Sequence, residues 1–162
     1  MQNMRDKNGR NGFSLIELLI VVAIIGVIAA IAIPNLLASR RAANEASALS
    51  SLRVIHSCEA TYQSSTGLGD YASLASLTFQ TLSDPVLGSG IKSGYSFEVN
   101  PVAAGVRPAL YYAFALPTST SGAGKTGTRR FAVSDDGVVR ADSDLTTPAD
   151  EAAVKAMPPL NN

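Results

Sequence analysis

The sequence predicts an α+β fold, a long N-terminal helix followed by a small antiparallel β-sheet. Three observations carry this. A 21-residue run, Phe13–Ile33, is apolar except for Ser14 and Glu17. Further on, Leu49, Leu52, Ile55, Cys58 and Tyr62 recur at spacings of three and four, the period of one helical face. From Gly67 the composition turns to Gly, Ser, Pro and Thr with short β-rich runs between turn residues.

The first element sets the domain organisation. As a helix rising about 1.5 Å per residue, Phe13–Ile33 spans roughly 31 Å, close to the ~30 Å hydrocarbon core of a bilayer. The polar leader 1–12 holds Arg5, Lys7 and Arg10, so it is expected to stay inside and the bulk of the chain outside, a bias tempered by Arg40 and Arg41. An ionised acid within such a run costs roughly 2.5–3.5 kcal/mol on insertion scales, so Glu17 calls for a function. A secretory signal peptide is the alternative, with Ala30-Ile31-Ala32 as an A-x-A cleavage site releasing a soluble binding domain. Against it stand the carboxylate in the apolar core and the continuation through Ile33, Leu36 and Leu37.

Residues 34–66 read as an amphipathic continuation of the helix. Pro34 removes one backbone hydrogen bond and predicts a kink near Ala30–Pro34, with Gly26 a second weak point. Arg40, Arg41, Glu45, Arg53 and Glu59 mostly fall off the apolar stripe, and Gly67 supplies a C-terminal cap. One helix from Phe13 to about Ser65 would be roughly 80 Å long.

Residues 67–162 form the predicted head. Tyr71–Leu82 has no clean period and reads as loop with a helical turn. Gly94–Val102, Ala109–Leu116 and Arg129–Ser134 read as strands. Asp136-Gly137 signals a two-residue I′ turn joining Phe131–Ser134 to Val138–Ala141. Four antiparallel strands would cover the Leu49–Tyr62 stripe with one face. The proline-bearing tail, Asp142–Asn162, is expected to be irregular or partly disordered.

Composition excludes several functions. Net charge is zero, and without residues 1–12 ten basic face twelve acidic side chains, so there is no basic footprint for nucleic acid. One cysteine, Cys58, rules out an internal disulfide, and with a single histidine, His56, it rules out a Cys/His metal cluster. His56 and Cys58 lie two apart on a helix and point in different directions, so Cys58 reads as a packing residue. Ser119–Thr126 resembles a phosphate-binding loop, but Ser119 replaces the first glycine and a strand pattern follows where a helix is required. Asp135-Asp136 and Asp142/Asp144 carry oxygens suited to Ca²⁺, yet no complete EF-hand loop is present. No G-x-S-x-G elbow is found. The expected catalytic, metal and cofactor sets are therefore empty, and the chain is expected not to be an enzyme. No aromatic residue occurs from Ser14 to Thr61, so a continuous aromatic stack along the helix has no support.

Gly12-Phe13-Ser14-Leu15-Ile16-Glu17, the apolar run and Pro34 together resemble the N-terminus of type IV pilins and pseudopilins. The resemblance covers about 30 residues. It implies a long helix packed on a β-sheet head, and cleavage after Gly12 by a membrane prepilin peptidase that also N-methylates Phe13. It implies self-assembly into a helical filament with inner-membrane pilus or secretion machinery. The subunit would sit in the inner membrane with its head outside, then in an extracellular pilus or periplasmic pseudopilus. Cleavage frees an α-amino group on Phe13, protonated near neutral pH. Glu17 of one subunit would pair with the Phe13 ammonium of a neighbour, because either charge alone in an apolar filament core costs more than the pair. The rival is an intrachain i, i+4 pair. Processing is thus assigned to Gly12 and Phe13, and filament assembly to Glu17, Phe13 and Pro34. Pilins often close a C-terminal loop with a disulfide, which this chain lacks, so other packing must hold that edge or the head follows the pseudopilin pattern. A pseudopilin or minor pilin of type II secretion is accordingly the nearest alternative. Some major pseudopilins bind calcium near the C-terminus.

Overall fold

The computed structural model describes residues 12–102 and 108–160. Most of the leader 1–12, with its three basic residues, and the last two tail residues lie outside the described residues. The chain divides into two units between Leu37 and Ala38. Helix α1, Leu15–Ser64, contributes to both.

In the first unit α1 is apolar all round. Leu15, Ile16, Val27, Ile31 and Leu36 are each more than 60% exposed, and none of the large aliphatic residues from Leu15 to Leu36 is buried. The helix continues through Pro34. Its missing N–H leaves the Ala30 carbonyl without its usual donor, but helical backbone resumes on both sides.

The second unit holds the remaining elements. They are α2 (Leu74–Gln80), α3 (Pro85–Gly88), β1 (Ile91–Lys92), β2 (Tyr95–Val102), β3 (Leu110–Pro117), β4 (Arg130–Ser134), β5 (Arg140–Asp142) and α4 (Glu151–Ala156). The strands form one antiparallel meander, β1-β2-β3-β4-β5. In β2–β3, Tyr95 faces Pro117 and Val102 faces Leu110; in β3–β4, Tyr112 faces Ser134 and Ala115 faces Phe131. This register pairs odd with odd positions on β3 and β4, so the two-residue period sorts side chains cleanly. Tyr95, Phe97, Val99, Tyr111, Ala113, Ala115, Phe131 and Val133 join Ala48, Leu52 and Ile55 of α1 in the main core. Pro101 lies beyond the two-residue β1, where one side of β2 is an edge and a missing N–H is tolerated.

The structure corrects four expectations. The sheet has five strands, because Ile91–Lys92 adds a short edge. The tail is ordered through Leu160: Phe114 and Ala132, on the opposite sheet face, form a second cluster with Val154 and Met157. Asp150 caps α4 by accepting the Ala153 N–H at 2.8 Å, and Leu160 N–H donates to the Val139 carbonyl at 2.9 Å. Within Tyr71–Leu82, α2 is a helix capped by Ser73, and α3 follows with Asp84 accepting from Val86 and Leu87 and Pro85 in its first turn. The β4–β5 connection is not a two-residue I′ turn. That turn needs positive φ at both central residues. Here Gly137 N–H donates to Ser134 C=O at 3.0 Å, and only Gly137 in the turn has positive φ, 70°. Ala132 pairs with Arg140, so the loop is longer and the strand starts two residues later than Val138.

The buried helix face is also displaced from the predicted stripe. Leu49, Cys58 and Tyr62 are only half-buried, whereas Glu45, Ala48, Ser51, Leu52, Ile55 and Glu59 are buried. Two glutamates placed off the stripe, Glu45 and Glu59, therefore lie on the buried face.

Candidate processing and assembly segment

Gly12, Phe13 and Ser14 precede the first helical residue, and Phe13 is 82% exposed. Leu18 N–H donates to the Ser14 carbonyl at 3.2 Å, which makes Ser14 the flanking residue of α1. Glu17 then reaches back: its Oε2 accepts the Ser14 backbone N–H at 3.0 Å. This is the acid half of a capping box, S-x-x-E, in which a third-position Glu satisfies an N–H that the helix leaves unpaired. The sequence carries that signature in Ser14-Leu15-Ile16-Glu17, so the capping role of Glu17 is legible from its spacing to Ser14. Glu17 is thus engaged one residue short of Phe13.

Geometrically, the segment offers an exposed non-helical Gly12–Phe13 bond, a helix start fixed at Leu15 and an uncovered apolar helix behind it. The α1 helix includes a stretch long and apolar enough to cross a membrane. Pro34 lies at the far end of that stretch, away from Glu17 along the chain.

The remaining sequence candidates are placed in the second unit. Ser119–Thr126 forms a closed loop between β3 and β4, with Thr126 N–H donating to Ser119 C=O at 2.9 Å, and the element that follows it is the strand β4, not a helix. The aspartates considered for calcium face cations. Arg140 contacts Asp136 at 2.5 Å, and Arg130 forks onto both oxygens of Asp142 at 2.7 and 2.8 Å. Lys155 contacts Asp135 at 2.9 Å. Asp136 is held down to about 2: burial opposes ionisation, but hydrogen bonds from Arg140, Val138 N–H and Ser134 outweigh it. Among the described residues no group of three or more His, Cys, Asp or Glu side chains is arranged to hold a metal. His56 does not meet Cys58; its Nδ1 lies 2.5 Å from the Tyr111 hydroxyl. Burial raises the Tyr111 pKa strongly, which keeps the phenol protonated, and the imidazole tautomer sets which of the two groups donates. Cys58 packs half-buried with Sγ 3.6 Å from the Thr81 carbonyl. Arg40 and Arg41 enter no ion pair among the described residues; Arg40 is exposed and Arg41 half-buried.

Comparison with known proteins agrees with this segment. Residues 7–33 match the prokaryotic N-terminal methylation motif, so the chain carries a prepilin-type N-terminal motif. Over 34 residues it is 62% identical to the type IV wide pilus major component PilA4 of Thermus thermophilus. That alignment covers 21% of this chain and 26% of that protein, so the likeness spans about a quarter of the relative. No solved structure matches the chain.

Proposed function

We propose that the chain is a structural subunit of a type IV pilus-like filament, made as a prepilin, cleaved after Gly12, N-methylated on Phe13 and polymerised through α1. The observation that carries this is the uncovered apolar surface from Phe13 to Leu36, directly behind a methylation motif. Removing such side chains from water is worth about 25 cal/mol per Å² of apolar area, and exchanging lipid for neighbouring subunits then rests on close packing. The peptidase supplies cleavage and methylation and the inner-membrane machinery supplies force, so the subunit itself needs no catalytic residue, metal or cofactor. The head would lie outside the cytoplasm. An exported soluble domain released after Ala32 is disfavoured because that bond lies inside α1. Between a major pilin and a pseudopilin or minor pilin, filament length and abundance decide.

Glu17 has two successive partners in this scheme. In the unassembled subunit it caps its own helix through Ser14. In the filament its carboxylate neutralises the Phe13 ammonium of an adjoining copy, setting the axial register. The Glu17→Gln variant separates the two roles, because an amide oxygen keeps the cap and removes the charge. With an unpaired buried ammonium costing about 3 kcal/mol, cleavage at Gly12 is expected to continue while sheared filaments fall by about 100-fold. Wild-type filament yield from Glu17→Gln would leave only the capping role standing.

A further inference from the structure

Glu59 is a buried acid that the filament scheme does not use. It is 0% exposed on α1. Its Oε2 accepts the Ala72 N–H at 3.0 Å, while Oε1 is buried with no hydrogen-bond partner. It enters none of the ion pairs among the described residues. The bond to Ala72 ties α1 to the connection that leads into α2. That connection is otherwise pinned by Gly67 N–H on the Tyr62 carbonyl at 2.8 Å and Gly69 N–H on the Gln63 carbonyl at 3.0 Å. It also holds Leu68 at φ 49°, a left-handed conformation costly for leucine, although Leu68 is 93% exposed and has no packing to repay it.

We propose that Glu59 is a proton-controlled clasp on the α1–α2 connection, closed while its carboxyl is neutral and opened by ionisation. A neutral carboxyl can remain in the core with one oxygen bonded. A carboxylate there has one N–H and no cation to offset its lost hydration. The ionisable groups around it give no such cation. Cys58 on α1, Tyr71 on the connection and Tyr111 on β3 all feel its charge as unfavourable. His56 is taken up by Tyr111, and Asp135 and Asp136, which act on the tyrosines from the β4–β5 turn, are matched by Lys155 and Arg140. Burial accordingly pushes Glu59 up from 4.5 to about 7, against the opposing effect of the Ala72 N–H.

The sign follows by linkage. The closed state keeps its proton up to about pH 7, whereas an opened, rehydrated Glu59 ionises near 4.5. Closure is thus fully stabilised below 4.5 and loses that contribution as pH rises through 7. The opening constant climbs about tenfold per pH unit across this window, about 300-fold in all, and then levels. Opening would rearrange a segment that presents Leu68 and leads into α2, whose Phe79 is 88% exposed.

The test is amide hydrogen exchange by NMR on the full-length chain in detergent micelles. The protection factor at Ala72, normalised to intrinsic exchange, is expected to fall about 300-fold between pH 4.5 and 8. It should stay flat in Glu59→Gln and still fall in His56→Gln. Constant wild-type protection, an equal fall in Glu59→Gln, or a flat His56→Gln profile each overturns the clasp. If Glu59→Gln does not fold, the ¹³C titration of the wild-type Glu59 carboxyl decides: a midpoint near 7 supports the clasp, and one near 4.5 refutes it.

Discussion

Replacing Glu45 by alanine should destabilise the second unit by about 3 kcal/mol. Its carboxylate accepts the Thr128 N–H at 2.7 Å, the Thr128 hydroxyl at 2.6 Å, and Arg129 Nε and Nη2 at 3.1 and 3.0 Å. Hydrogen bonds to a charged group are worth about 1.5–3 kcal/mol each, and breaking a buried pair costs about 3–5. Glu45 is 9% exposed, but Arg129 keeps 46% of its side chain in solvent and can rehydrate, so the lower end applies. For a unit of this size, about 3 kcal/mol lowers the midpoint by roughly 10 °C. Near-UV circular dichroism against temperature reads it directly. Glu45→Gln, which keeps an acceptor, should lose about half as much. Burial raises the Glu45 pKa, but Thr128 and Arg129 outweigh it, so its net position is below the ordinary value of 4.5. Its contribution is therefore present above that value and lost as pH falls through the lowered one, and the difference from Glu45→Gln should shrink in acid. An Ala variant within about 0.5 kcal/mol of wild type would refute the assignment of Glu45 as the tie between α1 and the β3–β4 loop.

Two further substitutions test the sheet and its C-terminal edge. A Cβ at Gly127 would collide with the hydroxyl and ring of Tyr95, which is 0% exposed and donates to the Arg129 carbonyl at 2.9 Å. Gly127→Ala should therefore cost about 2–3 kcal/mol in urea unfolding, and a neutral result would mean that Tyr95 moves freely. Arg130→Lys keeps the charge but loses the fork on Asp142 and the bond to the Thr146 carbonyl at 2.5 Å, a loss of about 1–2 kcal/mol. Faster amide exchange confined to β5 and the stretch leading to α4 is the expected signature, and unchanged exchange there would show that the fork does not hold this edge.

The helix and three of the strands were legible because their signals are local and periodic. The expected strands Gly94–Val102, Ala109–Leu116 and Arg129–Ser134 correspond to β2, β3 and β4 with ends shifted by one residue. Glu45 and Glu59 were not legible, since a pattern rule assigns charge to the solvent face. What reverses the rule is a partner 83 or 13 residues away, Thr128 or Ala72, which periodicity cannot see. Helix α4 was hidden by its length of six residues between prolines; what makes it a helix is packing of Val154 and Met157 on Phe114 and Ala132. The turn signal Asp136-Gly137 marked the right place but not the type, because positive φ falls on Gly137 alone. Gly137 is further required by His56, since a Cβ there would lie 2.9 Å from Nε2. A disulfide-free C-terminal edge is closed by Arg130 on Asp142 and Thr146 and by the pairing of Arg140 with Pro159.

Intact-mass and N-terminal peptide spectrometry of the chain purified from its native membrane measures the processing step itself. A mature terminus at Phe13 bearing one added methyl group is the expected result. An unmodified Met1 terminus, or one at Ile33, would contradict subunit maturation at Gly12.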